Sequence, residues 1–221
     1  MKFAIEKYRA HSFFSIGLLV IICLLLIHAF VKQSWIIYPL TADHPFGWNV
    51  FFINLTFMGN GFFILPVALL LKYKWKMVAT GSLLIYAMLI VFAFVLCIKH
   101  VIYFQQPFLL QEAAQLIFRE HLNERETLFI PDSYVALAVA ASWVILLQNN
   151  LRKFEALALC FIVLIIISRC YLAGIGTLEL NSGIAIGYLS GLIAYAIRQW
   201  QLKITSKTVT QIRQDTSMVY P

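Results

Sequence analysis

The chain is a succession of long apolar runs separated by short polar clusters, and its hydrophobicity is continuous rather than alternating. Six runs stand out, at about 13–31, 50–71, 77–98, 134–148, 154–172 and 180–199. A helix needs about 20 such residues to cross the hydrocarbon core of a bilayer. Inside lipid the backbone must satisfy its own hydrogen bonds, and runs without period-two alternation do so as helices rather than as a closed barrel. The pattern predicts an all-α, polytopic six-helix transmembrane bundle. The fourth run is short and is expected to begin a few residues earlier, at Pro131. Residues 1–200 read as one membrane domain, and 201–221 as a polar cytoplasmic tail of the mobile kind common at chain ends.

The basic residues orient the bundle. Lys2, Lys7, Arg9, Lys72, Lys74, Lys76, Arg152, Lys153, Arg198, Lys203, Lys207 and Arg213 fall on one side, and Lys32, Lys99, Arg119, Arg125 and Arg169 on the other. Cytoplasmic loops carry the excess of Lys and Arg. The richer side is therefore read as cytoplasmic, and an even number of spans places both termini there.

Composition agrees. The 221 residues are 62% hydrophobic and 12% charged, against about 25% charged in soluble domains. The net charge of +7 lies mostly on short inner loops, which points to anionic headgroups and not to nucleic acid. Residues 1–30 have the basic start of a leader, but the run is long enough to span and no small-x-small cleavage site follows, so it reads as retained. Cys23, Cys97, Cys160 and Cys170 have no paired spacing, so neither a disulfide nor a metal site is expected, and no cofactor.

Several features predict packing. Gly183, Gly187 and Gly191 recur every four residues and give one helix face a close approach to a neighbour. In the second run, Asn54 and Gly59-Asn60-Gly61 interrupt the apolar pattern, and Pro66 is the expected kink. The outer loop at 32–49, rich in aromatics and proline, is expected to rest on the membrane surface. Between 108 and 125, Leu109, Leu110, Ala113, Leu116, Ile117 and Leu122 recur at helical spacing, which predicts an amphipathic interfacial helix on the outer side.

Charge at the outer span ends is sparse and ordered. Lys99 follows the third run, and six residues later comes Gln106-Pro107. Pro131-Asp132-Ser133-Tyr134 opens the fourth. Ser168-Arg169 closes the fifth, followed after five residues by Ile175 and after three more by Glu179. Ionisable residues at such depth are costly and usually meet one another. Lys99, Asp132, Arg169 and Glu179 are therefore expected to form a closed ionic cluster.

This arrangement resembles the membrane-bound type-2 phosphatidic acid phosphatase family of lipid phosphate phosphatases, with its motifs K-x6-R-P, P-S-G-H and S-R-x5-H-x3-D. Lys99, Pro107, Pro131, Ser168 and Arg169 keep the family residue. Gln106 stands for Arg, Asp132, Ser133 and Tyr134 for Ser, Gly and His, Ile175 for His and Glu179 for Asp. The resemblance covers about 50–199. It implies that Lys99, Gln106 and Arg169 are the phosphate- or headgroup-binding candidates. It also implies that Ile175 occupies the position of the histidine that attacks phosphorus, Glu179 that of its orienting acid, and Tyr134 that of the histidine that protonates the leaving alkoxide. An isoleucine side chain carries no lone pair, and a phenol is a far weaker acid than an imidazolium. Gln106 supplies neither charge nor the bidentate fork of an arginine.

His11, His28, His44, His100 and His121 have no motif position that would replace these groups. Asp132 could in principle form an aspartyl phosphate, but just before a helix a carboxylate caps free N–H groups and competes with an anion. The expectation is a catalytically dead relative: a structural, regulatory or lipid-binding membrane subunit with membrane lipids, and a membrane protein, as its partners. The alternative is an active lipid phosphate or pyrophosphate phosphatase or phosphotransferase with a rebuilt site. Short loops and the resemblance suggest a bacterial inner membrane, with the degenerate pocket on the periplasmic side.

Overall fold

The computed structural model describes residues 12–31, 46–105, 131–149, 154–173 and 175–219. Among them it contains only helices and their connections: α1 (Ser12–Val31), α2 (Phe46–Met58), α3 (Gly61–Tyr73), α4 (Val78–Gln105), α5 (Ser133–Asn149), α6 (Glu155–Ala173) and α7 (Thr177–Val219). Three helical stretches are long and apolar enough to cross a membrane: Val78–Val101, Glu155–Leu172 and Thr177–Ile204. The pair α2 and α3, bent by 54° at its break, makes a fourth if it counts as one span. Ser12–His28 and Ser133–Gln148 are apolar but shorter. The interfacial helix expected near 108–125, most of the first outer loop and Gln106 lie outside the described residues.

α5 is the hub. A helix that is apolar all round suits an enclosed place in a bundle, and nearly every residue of α5 from Val135 to Leu147 is buried. One side, with Val135, Val139, Trp143 and Leu146, joins a core built with α1, α6 and α7. The other, with Ala136, Leu137, Ala140 and Val144, joins a core built with α3 and α4. The glycine row of α7 is what lets it lie so close. A Cβ at Gly183 would come 2.7 Å from the Asp132 carbonyl oxygen, one at Gly187 would fall on the carbonyl oxygen of Ala136, and one at Gly191 would meet Trp143. The close approach expected from this spacing is thus made with α5.

α1 is fastened at its start. The Phe14 N–H donates to Glu155 Oε2 at 2.9 Å, placing a buried carboxylate at the positive end of that helix. The Phe14 ring stacks on Trp143 at 5.2 Å, and Trp143 in turn on Tyr188 at 5.1 Å.

Two expectations are corrected. The 54° bend of the second run is not at Pro66, which sits inside α3. The run breaks at Gly59-Asn60, where the Asn60 side chain accepts from the Phe62 N–H at 3.2 Å and caps the new helix. An asparagine cap satisfies an orphan N–H, and glycines on both sides admit close neighbours. A Cβ at Gly59 would come 3.0 Å from the Tyr134 carbonyl oxygen, and one at Gly61 would press on Phe92. Beyond Trp200 the polar stretch continues α7 to Val219. The fourth helix begins at Ser133 rather than at Pro131.

Gly187→Ala is expected to destabilise the protein by about 1–3 kcal/mol, because its Cβ meets backbone that cannot swing away. Gly47→Ala, with nothing within 4 Å of its Cβ, is expected to be neutral or to gain up to about 1 kcal/mol of helix propensity. Thermal unfolding in detergent, followed by circular dichroism, compares the two.

Candidate functional site

The second and third motif remnants meet where α5 begins, α6 ends and α7 begins. Asp132 is the N-cap of α5: its Oδ1 accepts from the Val135 N–H at 2.9 Å, and its carbonyl accepts from the Ala136 N–H at 3.0 Å. Its other carboxylate oxygen, Oδ2, accepts from Arg169 Nε at 2.8 Å. Its own N–H donates to the Glu179 carbonyl at 3.1 Å. One residue therefore ties α5 to both following helices. The Asp132 side chain is 2% exposed and that of Arg169 19%. The pair is largely withdrawn from water, where an uncompensated charge would be expensive.

The guanidinium of Arg169 also lies over the Tyr134 ring, 4.4 Å from its centroid. This is a cation–π distance. Tyr134 thus presents its face to the cation of the third motif, where the resemblance implies a histidine. Arg169 is held from one side by a carboxylate and from another by an aromatic face.

The other motif residues take structural places. Ser168 Oγ donates to the Phe52 carbonyl at 2.7 Å and also bonds Thr56 Oγ1, so it fastens α6 to α2. One turn on, Tyr171 OH donates to Asn49 Oδ1 at 2.7 Å, and its ring packs on Phe52. Ile175 is buried within the apolar core beside Val135 and Leu180. Glu179 Oε2 accepts from the Gly176 N–H at 3.2 Å, the returning half of a capping box at the start of α7. Pro131 is buried, and Ser133 is half-buried in the first turn of α5. Lys99 is exposed on α4 and makes no ion pair among the described residues. Of the four charges expected to close a cluster, Asp132 and Arg169 are joined directly, Glu179 caps α7, and Lys99 stands outside the pair.

What this arrangement can do chemically follows from what is already engaged. Both carboxylate oxygens of Asp132 hold hydrogen bonds, one to backbone and one to arginine, which stabilises the anion but leaves it poorly disposed to attack. The helix N-terminus that could receive a phosphate already has its anion. Among the described residues, no group of three or more His, Cys, Asp or Glu is placed to hold a metal ion. Sequence reading missed Thr56, Asn49 and Phe52 as partners of the third motif. They lie more than 110 residues from it in the chain, and only Asn49, a polar residue beside an apolar run, gave a signal.

Arg169→Ala leaves Asp132 buried without its cation and is expected to cost about 3 kcal/mol, the low end for breaking a buried pair because Arg169 is partly exposed. Asp132→Asn combined with Arg169→Met removes both charges, keeps the Oδ1 cap, and is expected to recover at least half of that loss. Denaturant unfolding of Arg169→Ala, of the single variants Asp132→Asn and Arg169→Met, and of their combination gives the loss and the coupling.

No protein-family model matches the chain, and no curated protein matches it. The chain is similar to the solved structure of LpxE from Aquifex aeolicus, with a TM-score of 0.50 and 23% sequence identity, covering 70% of this chain and 88% of that one. The likeness is one of fold. The two chains share a helical arrangement over that length.

Proposed function

We propose that this protein is a non-catalytic membrane relative of the lipid phosphate phosphatases, acting as a lipid-binding or regulatory subunit. The observation that carries the reading is the 2.8 Å bond from Arg169 Nε to Asp132 Oδ2. In the resemblance, arginine at this motif position holds a phosphate oxygen, and here a carboxylate of the chain itself takes that oxygen's place. Ile175 and Tyr134 add to it: at the nucleophile and acid positions stand a buried alkyl group and a ring face given to the guanidinium. Asp132, the replacement nucleophile that the sequence offers, has both oxygens engaged.

The topology belongs to the same proposal. The bent pair α2 and α3 counts as one span, and with α1, α4, α5, α6 and α7 the chain crosses six times. The lysine-rich side faces the cytoplasm of a bacterial inner membrane, and the Asp132–Arg169 pair faces the periplasm. Membrane lipids, and a membrane protein that the scaffold serves, are its partners.

The test is phosphate release by the purified protein from phosphatidic acid, phosphatidylglycerol phosphate and undecaprenyl pyrophosphate. Release no greater than that of a Lys99→Ala, Arg169→Ala control is expected. Turnover of any of the three that this control abolishes would establish an enzyme with a rebuilt site.

A further inference from the structure

The break at Gly59-Asn60 has a consequence at the other end of the bundle. α2 packs along α6, through Phe52, Thr56 and Ser168, whereas α3 turns away by 54° and packs on α4. α3 and α6 therefore diverge, with α5 as the floor between them. The wedge they leave is a cavity of about 600 Å³, within the range of ligand pockets. Phe63 and Val67 of α3, Ala141 and Ile145 of α5, and Leu157 and Phe161 of α6 line it, and apart from Ser142 and the Cys160 thiol every lining side chain is hydrocarbon or thioether. Its rim is open to the side: Leu157 is 65% exposed and Phe154 50%.

The wedge reaches the end of the bundle opposite the ion pair. Asp132 precedes α5 and Arg169 lies near the end of α6, whereas Leu146 and Phe154 of the wedge lie at the far ends of those helices. Along α5 the separation from Asp132 to Leu146 is about 20 Å. At this far end α3 carries Lys72 in its last turn and Lys74 at its C-cap, in helical backbone conformation, and Lys76 follows in the connection. Phe63, Val67 and Lys74 fall at i, i+4 and i+11, one helical face, so the apolar ridge of the wedge leads to a cation. Glu155, the carboxylate in the first turn of α6, is buried and turned to α1.

We infer that the wedge holds an acyl chain of an anionic glycerophospholipid, with the phosphate of that lipid at Lys74. Charge complementarity at the mouth selects an anionic lipid over a zwitterionic one, and the hydrocarbon lining selects a chain over a polar solute. The site goes beyond the proposed function and stands whether or not the outer pocket turns over a substrate.

Delipidated full-length protein in detergent is incubated with equal amounts of dioleoyl phosphatidylglycerol and dioleoyl phosphatidylcholine. Lipid retained after gel filtration is then counted by mass spectrometry. The expected result is a preference for phosphatidylglycerol of about fivefold, the worth of one lysine at an anionic surface. Lys74→Glu removes the preference but not the retention of phosphatidylcholine. Leu157→Trp, which fills the wedge from its exposed rim, and Ala141→Leu, which fills it from the floor, each reduce retention of both lipids. Should one of these two variants lose helix content, the other reads the site. Equal retention of the two lipids by the unaltered protein, or undiminished retention by a folded wedge-filling variant, would overturn the inference. Retention is read without turnover, so this result and that of the phosphate-release assay fail separately.

Discussion

A carboxylate and a guanidinium withdrawn from water must be matched, and the end of this bundle where α5 begins is organised around meeting that demand. Asp132 answers Arg169 with one oxygen and the free amide of Val135 with the other, while its own amide is taken by the Glu179 carbonyl. Three helices are fixed by one side chain and its backbone. The close seat of Gly183 against the Asp132 carbonyl depends on the same placement. Charges in such surroundings cost more to leave alone than they return as a pair, so the pair specifies a geometry more than it adds stability.

That geometry propagates along α5. Because the helix is buried along nearly its whole length, each neighbour is positioned by what it can lay against a surface of Ala, Val and Leu. α7 does so with glycines, and α1 with Phe14 stacked on Trp143. α2 follows α6, and the chain then breaks at a capped asparagine so that α3 can follow α4. The break places Gly59 against the Tyr134 carbonyl, one turn from the guanidinium, and opens the wedge toward the other end. The Asp132–Arg169 pair and the wedge thus lie toward opposite ends of the bundle, with the break between α2 and α3 beside both.

Much of this was legible in the chain. Continuous apolar runs gave the helical class. The positions of Asp132 and Arg169 at the ends of apolar runs put both in an expected cluster of four charges, of which these two are joined directly, and a carboxylate before a helix gave the cap. The glycine row announced a close neighbour, though not which one. The exact site of the break was ambiguous, since Pro66 and Asn60 both interrupt helices. Proline inside a helix removes one N–H bond, whereas an asparagine flanked by glycines can start a new helix, and the second won. The helix beyond Trp200 was hidden because hydropathy marks where lipid ends, not where helical propensity does. The contacts of Ser168 with Phe52 and Thr56, and the wedge itself, arise from pairings between distant segments that no local pattern encodes.

The functional account rests on a substitution of one anion for another. Where the resemblance implies a phosphate held by arginine at a helix N-terminus, this chain supplies Asp132. Inorganic phosphate added to the purified protein, with the melting temperature as readout, tests that substitution most directly, because a ligand stabilises only the state it binds. The account predicts no phosphate-dependent rise for the unaltered protein and a rise for Asp132→Asn, in which Arg169 loses its competing charge. A rise of equal size in both would mean that the carboxylate does not occupy the anion's place, and would contradict the account.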